Sequence, residues 1–267
     1  MFRADHPLAW SFHDATARTP YNMHGLNKPR YETPPFREHP LNDSIDLPEA
    51  AVPEVGLQTL IRGRRSCRRF AADPLSLSDL ATLLYVGYGV ISSVDFDGLF
   101  LERPVPSGGG LYPLELSVIA QRVDGLDAGS WHYVPLGHRV ESMHAHPFPP
   151  LMTAEMFLGQ PYLAQAAAII VITSVVERSL WKYDDRGYRY ILLEAGHVAQ
   201  NVNLCATGLG LGSLNLGGFF DSDLLGVVRA DPSTEIALYG VAVGRAATED
   251  RVEVRTPPAE DGVFRRY

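Results

Sequence analysis

A chain of 267 residues, 46% hydrophobic and 20% charged, is long enough to bury a substantial core and has the balance of an ordinary globular protein. Its net charge of −8 argues against a phosphate-backbone binder, which would carry a basic field, although a local basic cluster can still hold a small anion. Two cysteines, Cys67 and Cys205, are too few for a disulfide scaffold and fit a reducing compartment.

The N-terminal stretch MFRADHPLAWSFHDATARTP has acids and histidines where a signal peptide needs an apolar core. No uncharged apolar run approaches the ~20 residues of a membrane helix, so a cytoplasmic protein without a membrane anchor is expected. Residues 1–54 are rich in proline and histidine, and RYETPPFREHPL predicts an extended arm lying across another surface. GLQTLIRGRR predicts a short helix ending in a basic knot. Ser76–Val90 predicts a longer one, capped by Ser76 or Ser78, with Leu80, Leu83, Leu84 and Gly87 on one face.

RPVPSGGGLYP is a loop punctuated by proline and glycine. LELSVIAQRV alternates as a strand should, SWHYVPL follows as a second strand after the GLDAG turn, and the β-branched run Ala166–Val176 predicts a central strand. Tyr188–Leu209 places Ile191, Ala195, Val198, Val202 and Cys205 on one continuous stripe, the pattern of a central helix. GLGLGSLNLGGFF reads as a glycine-rich connection, EIALYGVAVG as the last core strand, and residues 251–267 as a second arm. No repeat or linker divides the chain. One α+β domain over residues 55–250 between two arms is the expected organisation.

Three stretches suit chemistry. RGRRSCRRF sets Arg64, Arg65, Ser66 and Arg68 within five residues, and guanidinium forks bind the oxygens of a phosphate monoester bidentately. PSGGGLYP removes Cβ atoms, so its backbone can pass close to a flat ligand. SLWKYDDRGYRY pairs Lys182 with Tyr183, either as a solvated loop or as a proton-handling pair. GLGLG follows a helix rather than a strand and is no dinucleotide fingerprint. The chain has no P-loop, HExxH or GxSxG motif, and His144 and His146 lack a partner in sequence, so no metal is expected.

In this order, RRSxRxF, PSGGGLYPLEL, GLDAGSWHY and KYDDRGYRYILLEAGHVAQNVNLCATGLGLGSLNLGGF resemble the flavin-dependent nitroreductase superfamily, and within it the SagB-type or McbC-like dehydrogenases that form thiazoles and oxazoles in peptides. The resemblance, over about residues 31–244, implies an FMN-binding α+β fold whose mostly antiparallel sheet is flanked by helices, working as an intertwined homodimer. It implies that Arg64, Arg65, Ser66 and Arg68 hold the ribityl phosphate, with Arg245 beside them. Pro106, Ser107 and Gly108 would pass under the isoalloxazine ring, and Gly217 and Gly218 would present amides near its N5 edge.

Lys182 and Tyr183 match the Lys–Tyr pair of azoline oxidases. Oxidising an azoline removes a hydride and a proton, and a partly neutral lysine or a lysine-stabilised tyrosinate can take the proton. The expected activity is FMN-dependent azoline oxidation on a peptide or carrier-bound substrate, with a possible cyclodehydratase partner and no nucleic acid. The alternatives are an NAD(P)H-dependent nitroreductase-like reductase and a flavin-free scaffold of a biosynthetic complex.

Overall fold

The computed structural model describes residues 2–19, 36–95 and 99–247. The arm expected over 251–267, and the part of the N-terminal arm within 20–35, lie outside the described residues.

The elements run α1 (Phe2–Asp5), α2 (Pro7–Ala15), β1 (Ser44–Asp46), α3 (Leu57–Gly63), α4 (Leu77–Tyr88), β2 (Ser92–Asp95), β3 (Leu99–Glu102), β4 (Leu114–Ala120), β5 (Gly129–Val134), β6 (Arg139–His144), α5 (Pro150–Met156), β7 (Ala168–Val175), α6 (Glu177–Tyr183), α7 (Arg186–Gly208), β8 (Gly212–Leu216), α8 (Asp221–Val227) and β9 (Glu235–Gly244). Seven strands form one sheet in the order β1-β6-β5-β4-β7-β9-β8, and every adjacent pair is antiparallel. β2 and β3 form a separate hairpin.

β7, an interior strand between β4 and β9, is fully buried up to its last residue. Successive side chains alternate between two cores, as a period of two requires. Ala168, Ile170 and Ile172 join the layer built by α4 and α7, whereas Ile169 and Val171 join the layer with Phe157, Leu214 and Leu224. α4 begins where Ser76 accepts a hydrogen bond from the Asp79 amide, choosing between the two caps expected. It packs Leu80, Leu83 and Leu84 against Val198 and Val202 of α7.

Gly87 lets α4 come close to α7, since a Cβ there would lie 3.1 Å from Val202. The N-terminal segment is less extended than its composition suggests. Pro7 occupies the first turn of α2, where its missing N–H costs nothing.

The second face of the sheet is apolar only on one side. From β6 across to β9 it carries Glu141, His132, Ser117, Glu115, Thr173 and Glu235, all buried, with Glu115 opposite Thr173 and His132 opposite Glu141. Arg37 and Arg178 cover this polar face, at 2.8 Å from Glu235 and 2.7 Å from Glu115. Burial alone would raise the Glu115 carboxyl, but Arg178, His132 and Arg37 outweigh it and hold it below the usual range. Burial lowers the His132 imidazole to about 4. Its 3.4 Å approach to Glu115 is therefore a contact of a neutral ring at pH 7, not an ion pair.

Arg178 ties the start of α6 to the sheet. Arg178→Met leaves a buried carboxylate short of its main partner, and urea denaturation at pH 7 is expected to show a loss of about 3–5 kcal/mol. Because the Glu115 pKa is depressed in the folded state, the pair's contribution is present above the ordinary carboxylate range and fades as the pH falls through the lowered value. A cost no greater than that of an exposed pair would show that α6 is anchored elsewhere.

Candidate functional site

Lys182 and Tyr183 sit on the last turn of α6, not in a loop. The chain reverses immediately afterwards through Asp184, whose φ of 50° and ψ of −149° place a non-glycine residue in sparsely populated backbone space. This turn aims both side chains at the glycine loop. A Cβ on Gly109 would stand 2.5 Å from the Tyr183 hydroxyl and 2.7 Å from Lys182 Nζ. With a φ of 66°, Gly109 thus combines a left-handed backbone with a space that no side chain can share.

Tyr190, on the first turns of α7, meets Tyr183 edge to face at 4.9 Å between centroids and closes over Gly108, where a Cβ would lie 3.1 Å from its ring. Lys182 Nζ lies 5.5 Å from the Tyr183 ring centroid.

The N-terminal segment holds the same turn from outside. Arg18 Nη2 donates to the Tyr183 carbonyl at 2.5 Å and lies 3.7 Å from the Asp184 carboxylate. Arg186 Nη1 and Arg189 Nη2 donate to the carbonyls of Thr16 and His13. Between α2 and the α6–α7 turn lies a cavity of about 360 Å³, lined by Phe12, Ala15, Thr16, Leu180, Asp185 and Tyr188.

Beneath the loop is a group that sequence reading left without a role. Glu194 is buried, and each carboxylate oxygen takes a hydroxyl donor: Tyr88 at 2.6 Å and Ser107 at 2.5 Å. The hydroxyls in turn accept backbone N–H groups, Leu114 onto Tyr88 at 3.1 Å and Tyr112 onto Ser107 at 2.9 Å. Arg103 lies 4.1 Å over the Tyr88 ring and donates to the Tyr88 carbonyl. Burial pushes the Glu194 carboxyl up to about 7, against the opposing pull of both hydrogen bonds and Arg103.

An acid whose folded pKa is raised destabilises the fold as the pH climbs from the ordinary carboxylate range to that value, because only the unfolded chain ionises freely there. The shift is worth about 3 kcal/mol above pH 7. Glu194→Gln keeps the shape without the charge, its oxygen still accepting from one hydroxyl while its amide nitrogen donates to the other. Its stability relative to the parent chain is therefore expected to rise between pH 5 and pH 8 in parallel denaturation curves, and a constant difference would contradict the ionisation.

The arginine cluster lies elsewhere. Ser66 pairs with Ser213 of β8 in an isolated bridge, and the backbone of Arg69 and Ala71 bonds to Ala247 and Arg245, so Arg245 runs alongside the knot. Arg64 is half-buried; Arg65, Ser66, Arg68 and Arg245 are exposed. Arg65 Nη1 donates to the carbonyls of Arg62 and Arg64. Among the described residues neither Arg64 nor Arg65 forms an ion pair.

β8, hidden within the stretch expected to be a glycine-rich connection, runs from this knot to Gly217 and Gly218. Its neighbour α3 touches the far end of α7, where a Cβ on Gly63 would lie 3.1 Å from Thr207. Tyr190, beside the glycine loop, and Thr207, beside the knot, are 17 residues apart in α7, about 25 Å of helix. One chain thus brings Ser107, Gly108, Lys182 and Tyr183 together at one end of α7. It brings Arg64, Arg65, Ser66, Arg68, Arg245, Gly217 and Gly218 to β8 and its surroundings. It does not join the two groups.

Comparison with known proteins agrees with this architecture. The family model described as Nitroreductase family matches residues 61–245. The candidate nitroreductase MJ1384 of Methanocaldococcus jannaschii is 33% identical over 77% of this chain and 98% of its own length. The microcin B17-processing protein McbC of Escherichia coli is 31% identical over 50% of this chain, a match spanning about half (51%) of McbC. Among solved structures, a candidate nitroreductase of Anabaena variabilis superposes with a TM-score of 0.69 at 27% identity, over 89% of this chain and 47% of that one. A Desulfovibrio desulfuricans protein of the same fold, solved in complex with FMN, gives 0.53 at 19% identity, over 80% of this chain and 98% of that one.

Proposed function

This chain belongs to the nitroreductase family, and we propose that within it the protein is an FMN-dependent dehydrogenase that oxidises azoline rings to azoles in a peptide or carrier-bound substrate. The observation that carries the reading is the convergence of Lys182 Nζ and the Tyr183 hydroxyl on Gly109 of the loop Pro106–Gly110.

The residues present fit FMN in kind. Arg64 and Arg65, which form no ion pair among the described residues, with Ser66, Arg68 and Arg245 alongside, offer donors for a phosphate monoester. The loop around Gly108 and Gly109 offers a backbone floor from which Cβ atoms are excluded. When bound, FMN supplies hydride acceptance, which no side chain can provide. This chain supplies the rest: the arginines would hold the phosphate, Pro106, Ser107 and Gly108 would lie under the ring, and the amides of Gly217 and Gly218 would face its edge.

The proton lost from the azoline carbon goes to Lys182 Nζ or the Tyr183 oxygen, the two basic atoms next to the loop. Arg18 and the Asp184 turn fix where those atoms stand. The two half-sites lie at opposite ends of α7, so we infer that a second copy completes each site, the knot of one chain facing the loop of the other. McbC is named for processing microcin B17, and that likeness favours a peptide substrate and a cyclodehydratase partner over a free nitroaromatic.

The first measurement is the visible spectrum of the purified protein, followed by release and identification of its chromophore. About one FMN per chain is expected, with conversion of a thiazoline or oxazoline peptide to the azole. Rapid NAD(P)H-driven reduction of nitroaromatics without azoline turnover would move the assignment to a small-molecule reductase. A colourless protein that takes up no added FMN would refute the enzyme reading.

A further inference from the structure

Glu194 is tied into the loop more tightly than packing requires, and its hydrogen bonds can be counted to the last proton. While it is ionised, the Tyr88 and Ser107 hydroxyls both spend their protons on it, and both accept a backbone N–H. Once it is protonated, its own O–H needs an acceptor, and among the described residues its oxygen partners are those two hydroxyls. One of them must then turn its proton away.

Tyr88 has nowhere to turn. It is buried, with Arg103 over its ring, the Tyr112 ring at its edge and the Leu114 amide at its oxygen. Ser107, by contrast, is only half-buried on the loop. The ionisation of Glu194 therefore sets the direction of one hydroxyl, which belongs to the loop that the flavin reading places under the ring.

We propose that Glu194 is a positioning residue for the bound flavin: it takes up one proton when the flavin is reduced, and the Ser107 hydroxyl then turns from the carboxylate to the ring. This rests on the flavin reading above. The step balances. A hydride adds two electrons and one proton to the ring and leaves it with one more negative charge. An incoming solvent proton binds Ser107 Oγ as the original Ser107 proton passes to Glu194 Oε2, so one O–H bond forms at each oxygen and one breaks at Ser107. The fixed charge of Arg103 compensates Glu194 only while it is ionised. Lys182 and Tyr183 meet the loop at Gly109 and Tyr190 covers Gly108, whereas Glu194 meets it at Ser107, so the group proposed to take the flavin-linked proton is distinct from the pair proposed to serve the substrate.

The test is proton uptake by the FMN-loaded protein at pH 8, followed with an indicator dye during anaerobic photoreduction and corrected against free FMN. Beyond the uptake of free FMN, the parent chain is expected to take up one further proton per two electrons, and Glu194→Gln none, at equal flavin content. Ser107→Ala, which keeps the acid but removes the relay, is expected to match Glu194→Gln, and serves alone should that variant fail to fold. Equal counts in the parent chain and the variants overturn the proposal and leave the flavin reading intact.

Infrared spectra of the flavin-free protein separate the two ideas. A carboxylic-acid carbonyl band that disappears as the pH rises through neutrality, and that Glu194→Gln lacks, is expected whether or not flavin binds. Its absence overturns the proposal. A protein that shows the band but accepts no FMN overturns the flavin reading and, with it, the coupling.

Discussion

Lys182→Ala is expected to lower azoline oxidation by about 10²–10⁴-fold, the range for losing a positioned proton acceptor, with FMN content and fold unchanged. The side chain sits on the half-exposed last turn of α6 and fills no core position, so its removal leaves Arg178 anchored and the Tyr183–Tyr190 ring contact intact. Tyr183→Phe separates the roles. It keeps the ring against Tyr190 and beside Lys182 but deletes the oxygen that converges on Gly109. If lysine is the base, the phenylalanine variant is expected to retain at least about a tenth of the activity, while the alanine variant collapses. The reverse order makes tyrosine the base, with lysine stabilising its anion. Measured as kcat at saturating substrate with flavin occupancy checked for each variant, near-full activity in both would remove the pair from the mechanism.

The site was legible in the sequence to the extent that local pattern carries it. α4, α7 and β7 announce themselves because each buries one face or both, and burial imposes a period that neighbouring residues record. α6 does not. SLWKYDDRGY shows no sustained stripe, and its helix is secured by Arg178 against Glu115, a partner 63 positions earlier. β8 is disguised by glycine. Leu214 and Leu216 alternate properly inward, but Gly212 exists because a Cβ there would strike Cys67 Sγ at 2.6 Å, a contact invisible in one dimension. Glu194 was visible as a polar residue on an apolar helix, yet Tyr88 and Ser107 lie 106 and 87 positions away, so nothing local marks it as a shared acceptor. The arginine knot and the glycine loop were both readable, but not their separation along α7. A motif suggests chemistry, whereas the length of the helix between two motifs sets how far apart they stand in one chain.

That separation leads to the other large effect. A chain carrying Arg64→Ala and Arg68→Ala should lose the phosphate-binding half-site and, with it, flavin. Lys182→Ala should keep flavin and lose turnover. Each is expected to be nearly inactive alone. When the two are coexpressed in equal amounts and pair at random, half of the dimers contain one of each. In such a dimer one site combines both damaged halves, while the other combines an intact knot from the lysine variant with an intact loop and lysine from the arginine variant. The mixture is therefore expected to recover about a quarter of parental activity, as the symmetry of a two-chain site requires. If the knot and loop of a single chain closed on the same flavin, every chain in the mixture would still carry one damaged half, and no activity would appear beyond the sum of the two variants. Because α7 holds the knot and the loop about 25 Å apart, the recovered quarter is the outcome that the proposed two-chain site predicts.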